Sequence, residues 1–217
     1  MTQGPDPREA RRRYDAMAVD YDRRLGLQSS RLGRYQEGVR KNAVAELQLK
    51  PGQTVIDAGC GTGASFARLT AAVGPDGRVV GVDQSSGMLS VASERIVDEG
   101  WANVELIKAP LQDAHLPVAD AGIFFFTHDL MRTPAALDNV TRSVRPGGRV
   151  VTAGMQRPSR WLAPIALPLG LIMRRYITTE EGLDQPWDLL ADRLEHVTSQ
   201  SRLLGAIYVV AGVRPAQ

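Results

Sequence analysis

Val55-Ile56-Asp57-Ala58-Gly59-Cys60-Gly61-Thr62-Gly63 decides the fold of this chain. A short apolar run, rich in β-branched residues, ends in an acid. Three glycines within five residues follow, and then a helical pattern. That order is strand, tight turn, helix. Glycine lets the backbone turn sharply and approach a ligand closely. A plain strand-to-helix turn needs fewer glycines than this.

Outward from that stretch the pattern alternates. Thr54–Asp57 reads as a first strand and residues 62–73 as a helix, closed by Gly74-Pro75-Asp76-Gly77. Arg78–Asp83 is a second strand. Residues 86–98 carry Met88, Leu89, Val91, Ala92, Ile96 and Val97 at helical spacing and end before Gly100. Val104–Ile107 is a third strand, and Ala121–Phe126 a fourth, led by Asp120. Residues 134–144 are helical, and Arg149–Ala153 is a fifth strand after Arg145-Pro146-Gly147-Gly148. Strands alternating with helices imply a parallel sheet covered on both faces. Residues 194–204 and 205–213 instead read as a hairpin linked near Leu204-Gly205-Ala206, so the sheet finishes in antiparallel pairing. The expected fold is α/β: a Rossmann-like, doubly wound, seven-stranded, mostly parallel sheet with a C-terminal antiparallel hairpin and extra N-terminal helices.

Those helices lie before Pro51. Residues 8–24 place Tyr14, Met17, Ala18 and Tyr21 at helical spacing, and Val39, Ala43, Val44 and Leu47 form one face within 34–48. They could pack on the core, form a dimer contact or close over a ligand. The length of 217 residues suits one domain: a helical cap (1–50), a ligand-binding core (51–155), a lid (156–193) and the terminal hairpin (194–217).

Composition narrows the function classes. A hydrophobic share of 43% with 23% charge is globular. The net charge of +2 comes with 23 Arg against three Lys, which we read as compositional bias. Arg11-Arg12-Arg13 reads as a solvated helix face rather than a nucleic-acid stripe. One Cys excludes an internal disulfide and a Cys-based zinc finger, and three scattered His make no metal site. No apolar leader is visible at the N-terminus. Trp161–Met173 is too short to span a bilayer and is broken by Pro164, Pro168 and Gly170. We therefore expect a cytoplasmic protein without a membrane span, monomeric or homodimeric.

Gly59-x-Gly61-x-x-Ala64 also satisfies the dinucleotide fingerprint, so the glycines alone leave the nucleotide open. Asp57 discriminates. A pyrophosphate beside it would meet a like charge, on the order of 4 kcal/mol at ~4 Å and an effective dielectric near 20. A cationic ligand such as S-adenosylmethionine would gain instead. Asp83, about 20 residues past the last glycine, can accept ribose hydroxyls in either case. Its other role would be to cap the helix that starts near Ser86. The absence of a Tyr-x-x-x-Lys set also counts against a nicotinamide-dependent oxidoreductase.

The run Asp57-x-Gly59-Cys60-Gly61-x-Gly63, with Val82-Asp83-Gln84-Ser85 and Met88, resembles the class I S-adenosylmethionine-dependent methyltransferases. Arg145–Val150 is similar to the segment leading into their fifth strand. Tyr14-Asp15-x-x-Ala18-x-x-Tyr21-Asp22 resembles the opening of their quinone and phospholipid methyltransferase branch. The resemblance covers roughly residues 10–155 and the final hairpin. It implies that Gly59, Cys60, Gly61 and Gly63 line the methionine portion and that Asp57 orients it. Asp83 would hold the ribose, with Gln84 and Met88 beside the adenine. The family often has an acid after the third strand. Here Pro110-Leu111-Gln112-Asp113 falls there, and aligned on Pro117 it is Gln112, next to Leu111, that takes that place. Tyr21 would close over the cofactor, or simply pack.

Methyl transfer is an in-line displacement, so the protein supplies alignment and excludes water. The fourth strand ends in Phe124-Phe125-Phe126-Thr127-His128-Asp129, and that end should face the methyl group, with Phe126 and Thr127 beside the cofactor. His128 has a suitable pKa for a general base, and Asp129 could orient it. Alternatively Thr127 or Asp129 caps the next helix and His128 packs. This strand end lacks the Asn/Asp-Pro-Pro-aromatic motif that adenine- and cytosine-amino methyltransferases share, which disfavours nucleic-acid bases. His115 and His196 are expected to be exposed. The apolar lid at Trp161–Met173, with Tyr176 and Trp187 as aromatic walls, suits a small lipophilic acceptor: a natural product, a quinone-like ring or a phospholipid-like headgroup. Core packing and membrane-surface contact through Arg174-Arg175 are its other readings. A protein that binds the cofactor but catalyses a non-methylating reaction would carry the same motif.

Overall fold

The computed structural model describes residues 12, 14–24, 31–158 and 181–216. Seven strands form one sheet: β1 (Thr54–Ala58), β2 (Arg78–Asp83), β3 (Val104–Lys108), β4 (Ala119–Phe125), β5 (Val144–Met155), β6 (Glu195–Arg202) and β7 (Ile207–Val213). Their order is β3-β2-β1-β4-β5-β7-β6. β1 through β5 pair in parallel, whereas β7 runs antiparallel to both β5 and β6. This is the expected doubly wound sheet with a terminal hairpin. The chain leaves β1 toward β2 and β3, then crosses back to β4 on the other side. The switch point therefore lies between the carboxyl ends of β1 and β4, where such sheets bind ligands.

The helices are α1 (Tyr21–Arg24), α2 (Arg31–Glu46), α3 (Phe66–Val73), α4 (Ser86–Glu99), α5 (His128–Met131), α6 (Pro134–Ser143) and α7 (Asp188–Ala191). Strand residues alternate between two cores. Val55, Val79, Ile123 and Val151 face α2, α3 and α4. Ile56, Val80, Phe124 and Val150 face α5, α6 and α7. Two residues per side-chain period does this sorting. By that parity Asp57 shares the face of Val55, beneath α2 and α3. The anticipated stripe of α2, Val39, Ala43, Val44 and Leu47, is the face buried on the sheet.

Several boundaries differ from expectation for local reasons. α3 begins at Phe66 rather than Thr62, because residues 61–65 form a turn. β4 ends at Phe125, because Phe126 turns into the left-handed region at φ 58°. β5 starts at Val144, which pairs with Ala119 before the Arg145–Gly148 excursion shifts the register. The hairpin link is four residues, Leu203–Ala206, and begins with left-handed Leu203 and Leu204. β6 is exposed at every position, a polar edge strand that resists pairing with a further sheet. Among the described residues no helix is long and apolar enough to cross a membrane. The segment Trp161–Met173, Arg174-Arg175 and Tyr176 lie outside the described residues.

Candidate cofactor and acceptor site

The glycine turn is built by β1 running into a backbone that only glycine adopts without strain. Gly59, Gly61 and Gly63 have φ of 75°, 55° and 75°. A Cβ on Gly59 would sit 2.6 Å from Thr127 Cγ2, so β4's end packs directly on the turn. A Cβ on Gly61 would meet open space, so that glycine is required by the turn's φ and not by a close contact.

The turn's amides are already used. Gly59 N and Cys60 N both donate to Val82 O, at 2.8 and 3.0 Å. Gly61 N donates to Asp83 Oδ2 at 3.0 Å, and Gly63 N to Cys60 O at 3.0 Å. A pyrophosphate cradle needs free N–H groups pointing at the ligand. At these four positions the turn offers none.

Asp57 is 1% exposed, and its Oδ2 has no hydrogen-bond partner among the described residues. Burial pushes its carboxyl up to about 7; Arg40 pulls it down and Asp83 adds a further upward push. A buried carboxylate oxygen without a donor is costly, and a cationic ligand would offset that cost. Asp83 closes the site on the β2 side. Its Oδ1 accepts from Ser85 N at 2.9 Å while Oδ2 takes Gly61 N. Burial raises its carboxyl, and the Ser85, Gly61 and Gln84 amides work against that rise. Two oxygens with about four acceptor sites leave capacity for a diol. Asp83 is not the helix cap. Ser85 is, its Oγ accepting from Met88 N at 3.1 Å.

The remaining expected residues differ in burial and in what they contact. Cys60 is buried, and burial raises its thiol well above the usual range, so it is an inert filler. Met88 lies buried in the first turn of α4 and Gln84 is half-buried just before it. Leu111, Gln112 and Asp113 form a single 3₁₀ turn: Leu111 points into the core, Gln112 is half-buried and Asp113 is exposed. Phe126, held by its amide to Ala153 O at 2.7 Å, packs against Phe125 with centroids 4.9 Å apart. Thr127 precedes α5 but makes no side-chain cap bond, and its Oγ1 is buried with no hydrogen-bond partner among the described residues. His128 and Asp129 are the first two residues of α5, both half-buried. His115 and His196 are exposed. Trp187 packs against Tyr208 in a tilted arrangement, ring centroids 4.7 Å apart. Among the described residues no group of three or more His, Cys, Asp or Glu could hold a metal.

Sequence reasoning did not single out three further contributions. Asp15 Oδ1 accepts from Ser85 Oγ at 2.6 Å and Gly87 N at 3.0 Å. Asp22, beside Tyr21, accepts from Thr62 Oγ1 at 2.7 Å and pairs with Arg95. Tyr21 meets Tyr14 edge-on at 6.4 Å. The N-terminal segment is thus bound to both the glycine turn and α4. The third is Arg40 of α2, buried at 6% exposure. Its Nε donates to Ser65 Oγ at 3.3 Å, and its guanidinium lies 4.4 Å from the Phe125 ring centroid. A polar residue on the buried stripe of an amphipathic helix was the available signal.

Residues 55–148 match the family described as methyltransferase domain. The demethylmenaquinone methyltransferase of Symbiobacterium thermophilum is 31% identical over 166 residues, 72% of this chain and 64% of that protein. The ubiquinone/menaquinone biosynthesis C-methyltransferase of Coxiella burnetii is 30% identical over 160 residues, 70% of this chain and 60% of its own length. The chain thus spans less than two thirds of these relatives. Among solved structures, a SAM-dependent methyltransferase from Aquifex aeolicus has a TM-score of 0.58 at 21% identity, covering 97% of this chain and 99% of that one. A geranyl diphosphate C-methyltransferase from Streptomyces coelicolor, solved with Mg2+, geranyl diphosphate and S-adenosyl-L-homocysteine, has a TM-score of 0.61 at 19% identity, covering 84% and 80%. Motif, sheet order and relatives agree in likening this chain to the class I S-adenosylmethionine-dependent methyltransferases, with the methyltransferase domain matched over residues 55–148.

Proposed function

We propose that this protein transfers a methyl group from S-adenosylmethionine to a small, lipophilic, quinone-like acceptor. The observation that carries the cofactor half is the buried carboxylate oxygen of Asp57, without a hydrogen-bond partner among the described residues, beside a turn in which the Gly59, Cys60, Gly61 and Gly63 amides are already bonded. That arrangement favours a ligand with ammonium and sulfonium charge over one with a pyrophosphate. When bound, the cofactor supplies an electrophilic methyl group. Asp57 orients its methionine portion, with Gly59, Cys60, Gly61 and Gly63 alongside. Asp83 would hold the ribose hydroxyls, Gln84, Met88 and Gln112 would border the adenine with Leu111 packed in the core behind them, and Tyr21 would close over the top.

At the end of β4, Phe126 and Thr127 border the methyl group. His128 would take the proton from the acceptor's nucleophilic group, and Asp129 would orient the imidazole ring. Tyr35, Phe125, Phe126 and Met155 give the ends of α2, β4 and β5 a partly buried apolar wall. The names of the relatives favour a quinone-like ring in that place. The test has two parts. Calorimetry should give micromolar affinity for S-adenosylmethionine and S-adenosylhomocysteine, lost in Asp83→Ala, and none for NAD. Radiolabelled methyl transfer to a reduced naphthoquinone lacking a ring methyl should then be detected. Preference for NAD sinks the cofactor assignment, and binding without transfer to any quinol sinks the acceptor.

A further inference from the structure

Arg40 is a guanidinium on a helix face otherwise occupied by Val39, Ala43, Val44 and Leu47. Taking that charge out of water is expensive, and a methionine would pack there at less cost. Its hydrogen bonds to Glu37 Oε2 (2.9 Å) and Ser65 Oγ (3.3 Å) offset only part of that cost. Glu37 is itself half-exposed and also pairs with Arg68. The compensation lies deeper. Asp57 sits on the same face of the sheet, one strand from Phe125, whose ring Arg40 covers. Both groups are buried on this face, Arg40 over the Phe125 ring and Asp57 on the neighbouring strand with an Oδ2 that has no hydrogen-bond partner among the described residues, so the guanidinium is the cation placed to favour the carboxylate.

We propose that Arg40 is a positioning residue: from helix α2 it favours the charged form of Asp57 at the mouth of the glycine turn, and through Ser65 it ties that helix to the turn itself. The proposal deepens the functional reading above, because Asp57 must be an anion to orient a cationic cofactor. Charged and titratable groups facing Asp57 are Arg40 from α2, Asp83 from β2 and the Cys60 thiol within the turn. Arg40 in turn faces Glu37 on its own helix and Asp22 from α1. Arg40 is the cation among them. Without it, burial and Asp83 both drive Asp57 toward its neutral form, which removes the attraction for the cofactor near neutral pH.

The experiment follows Asp57 directly in the ligand-free protein, through the pH dependence of the Gly59 and Cys60 amide resonances between pH 5 and 10. The wild-type midpoint should lie near 7. Arg40→Lys should stay within half a unit of it, and Arg40→Met should rise by a unit or more. Arg40→Gln keeps a hydrogen-bonding head without the charge and must move as Arg40→Met does; it decides the matter if the methionine variant does not fold. S-adenosylmethionine affinity of the neutral variants should fall threefold or more at pH 7.5, in step with the measured rise of the midpoint, and the loss should vanish by pH 9.5. A midpoint unmoved in folded neutral variants, or an affinity loss of equal size at both pH values, overturns the proposal. Because the titration needs no cofactor, failure of wild type to bind S-adenosylmethionine would count against the functional reading alone.

Discussion

Thr62 Oγ1 donates to Asp22 Oδ1 at 2.7 Å, across 40 residues of sequence, and so fastens the N-terminal segment to the glycine turn. Arg95 of α4 pairs with the other oxygen of the same carboxylate. One acid thus joins α1, the turn and α4. Ordering that segment costs conformational entropy, which a few well-made polar contacts must offset. Asp22→Ala leaves Thr62 and Arg95 without this partner and should release residues 14–24. We expect faster amide exchange across that span and S-adenosylmethionine dissociation about tenfold faster, with little change in melting temperature. Exchange mass spectrometry and stopped-flow dissociation read the two effects. Unchanged exchange in the variant would show that other contacts hold the segment.

Asp57 makes the stability of the ligand-free protein depend on pH in a defined direction. Its folded carboxyl titrates near 7, above the usual unfolded value near 4. The folded state therefore binds the extra proton between those values. The stability associated with that proton is fully present below pH 4 and is lost as pH rises through about 7. Asp57→Asn removes the ionisation cost. It should melt about 5 °C above wild type at pH 8.5 and close to wild type at pH 4.5. Equal differences at both pH values would mean that the carboxyl does not titrate in this window.

Gly59 is fixed by two independent constraints. Its φ of 75° disfavours any side chain, and a Cβ there would press to 2.6 Å from Thr127 Cγ2 and 2.9 Å from Leu130 Cδ1. Gly59→Ala must therefore distort the turn or push α5 away. Destabilisation of about 2 kcal/mol is expected from the strained φ and the overpacking together. Cofactor affinity should drop at least a hundredfold. Gly52→Ala, also at positive φ but with open space around its Cβ, is the control for the backbone term. If both variants lose stability and affinity equally, the contact with Thr127 is unimportant.

Much of this architecture is legible from local pattern. The stripe Val39, Ala43, Val44 and Leu47 names the buried face of α2 because burial there follows helical period. The glycine turn is legible because three positive φ angles demand three glycines. The residues that complete the site are harder to find. Arg40 and Lys41 look alike in sequence, yet one is buried and the other exposed, and only the stripe's phase separates them. Asp15 and Asp22 act on groups 70 and 40 residues away, a proximity set by how the N-terminal segment docks. Phe126 takes a left-handed backbone that nothing in its residue type foretells. Such strain is held by surroundings, here the bond to Ala153 O and the Phe125 ring.

His128 provides the sharpest test of the chemistry. It opens α5 at the carboxyl end of β4, directly after Thr127, whose methyl packs on the glycine turn. That places its backbone beside the switch point, where an acceptor would approach the methyl group. A general base contributes about 10²- to 10⁴-fold, and it acts on the transition state rather than on cofactor binding. His128→Gln should therefore lower kcat a hundredfold or more with a quinol acceptor, while S-adenosylmethionine affinity stays within twofold. A His128→Gln enzyme with full kcat would mean that the acceptor arrives already ionised. The proton would then leave before the methyl group is transferred, and the ring would be only part of the pocket wall.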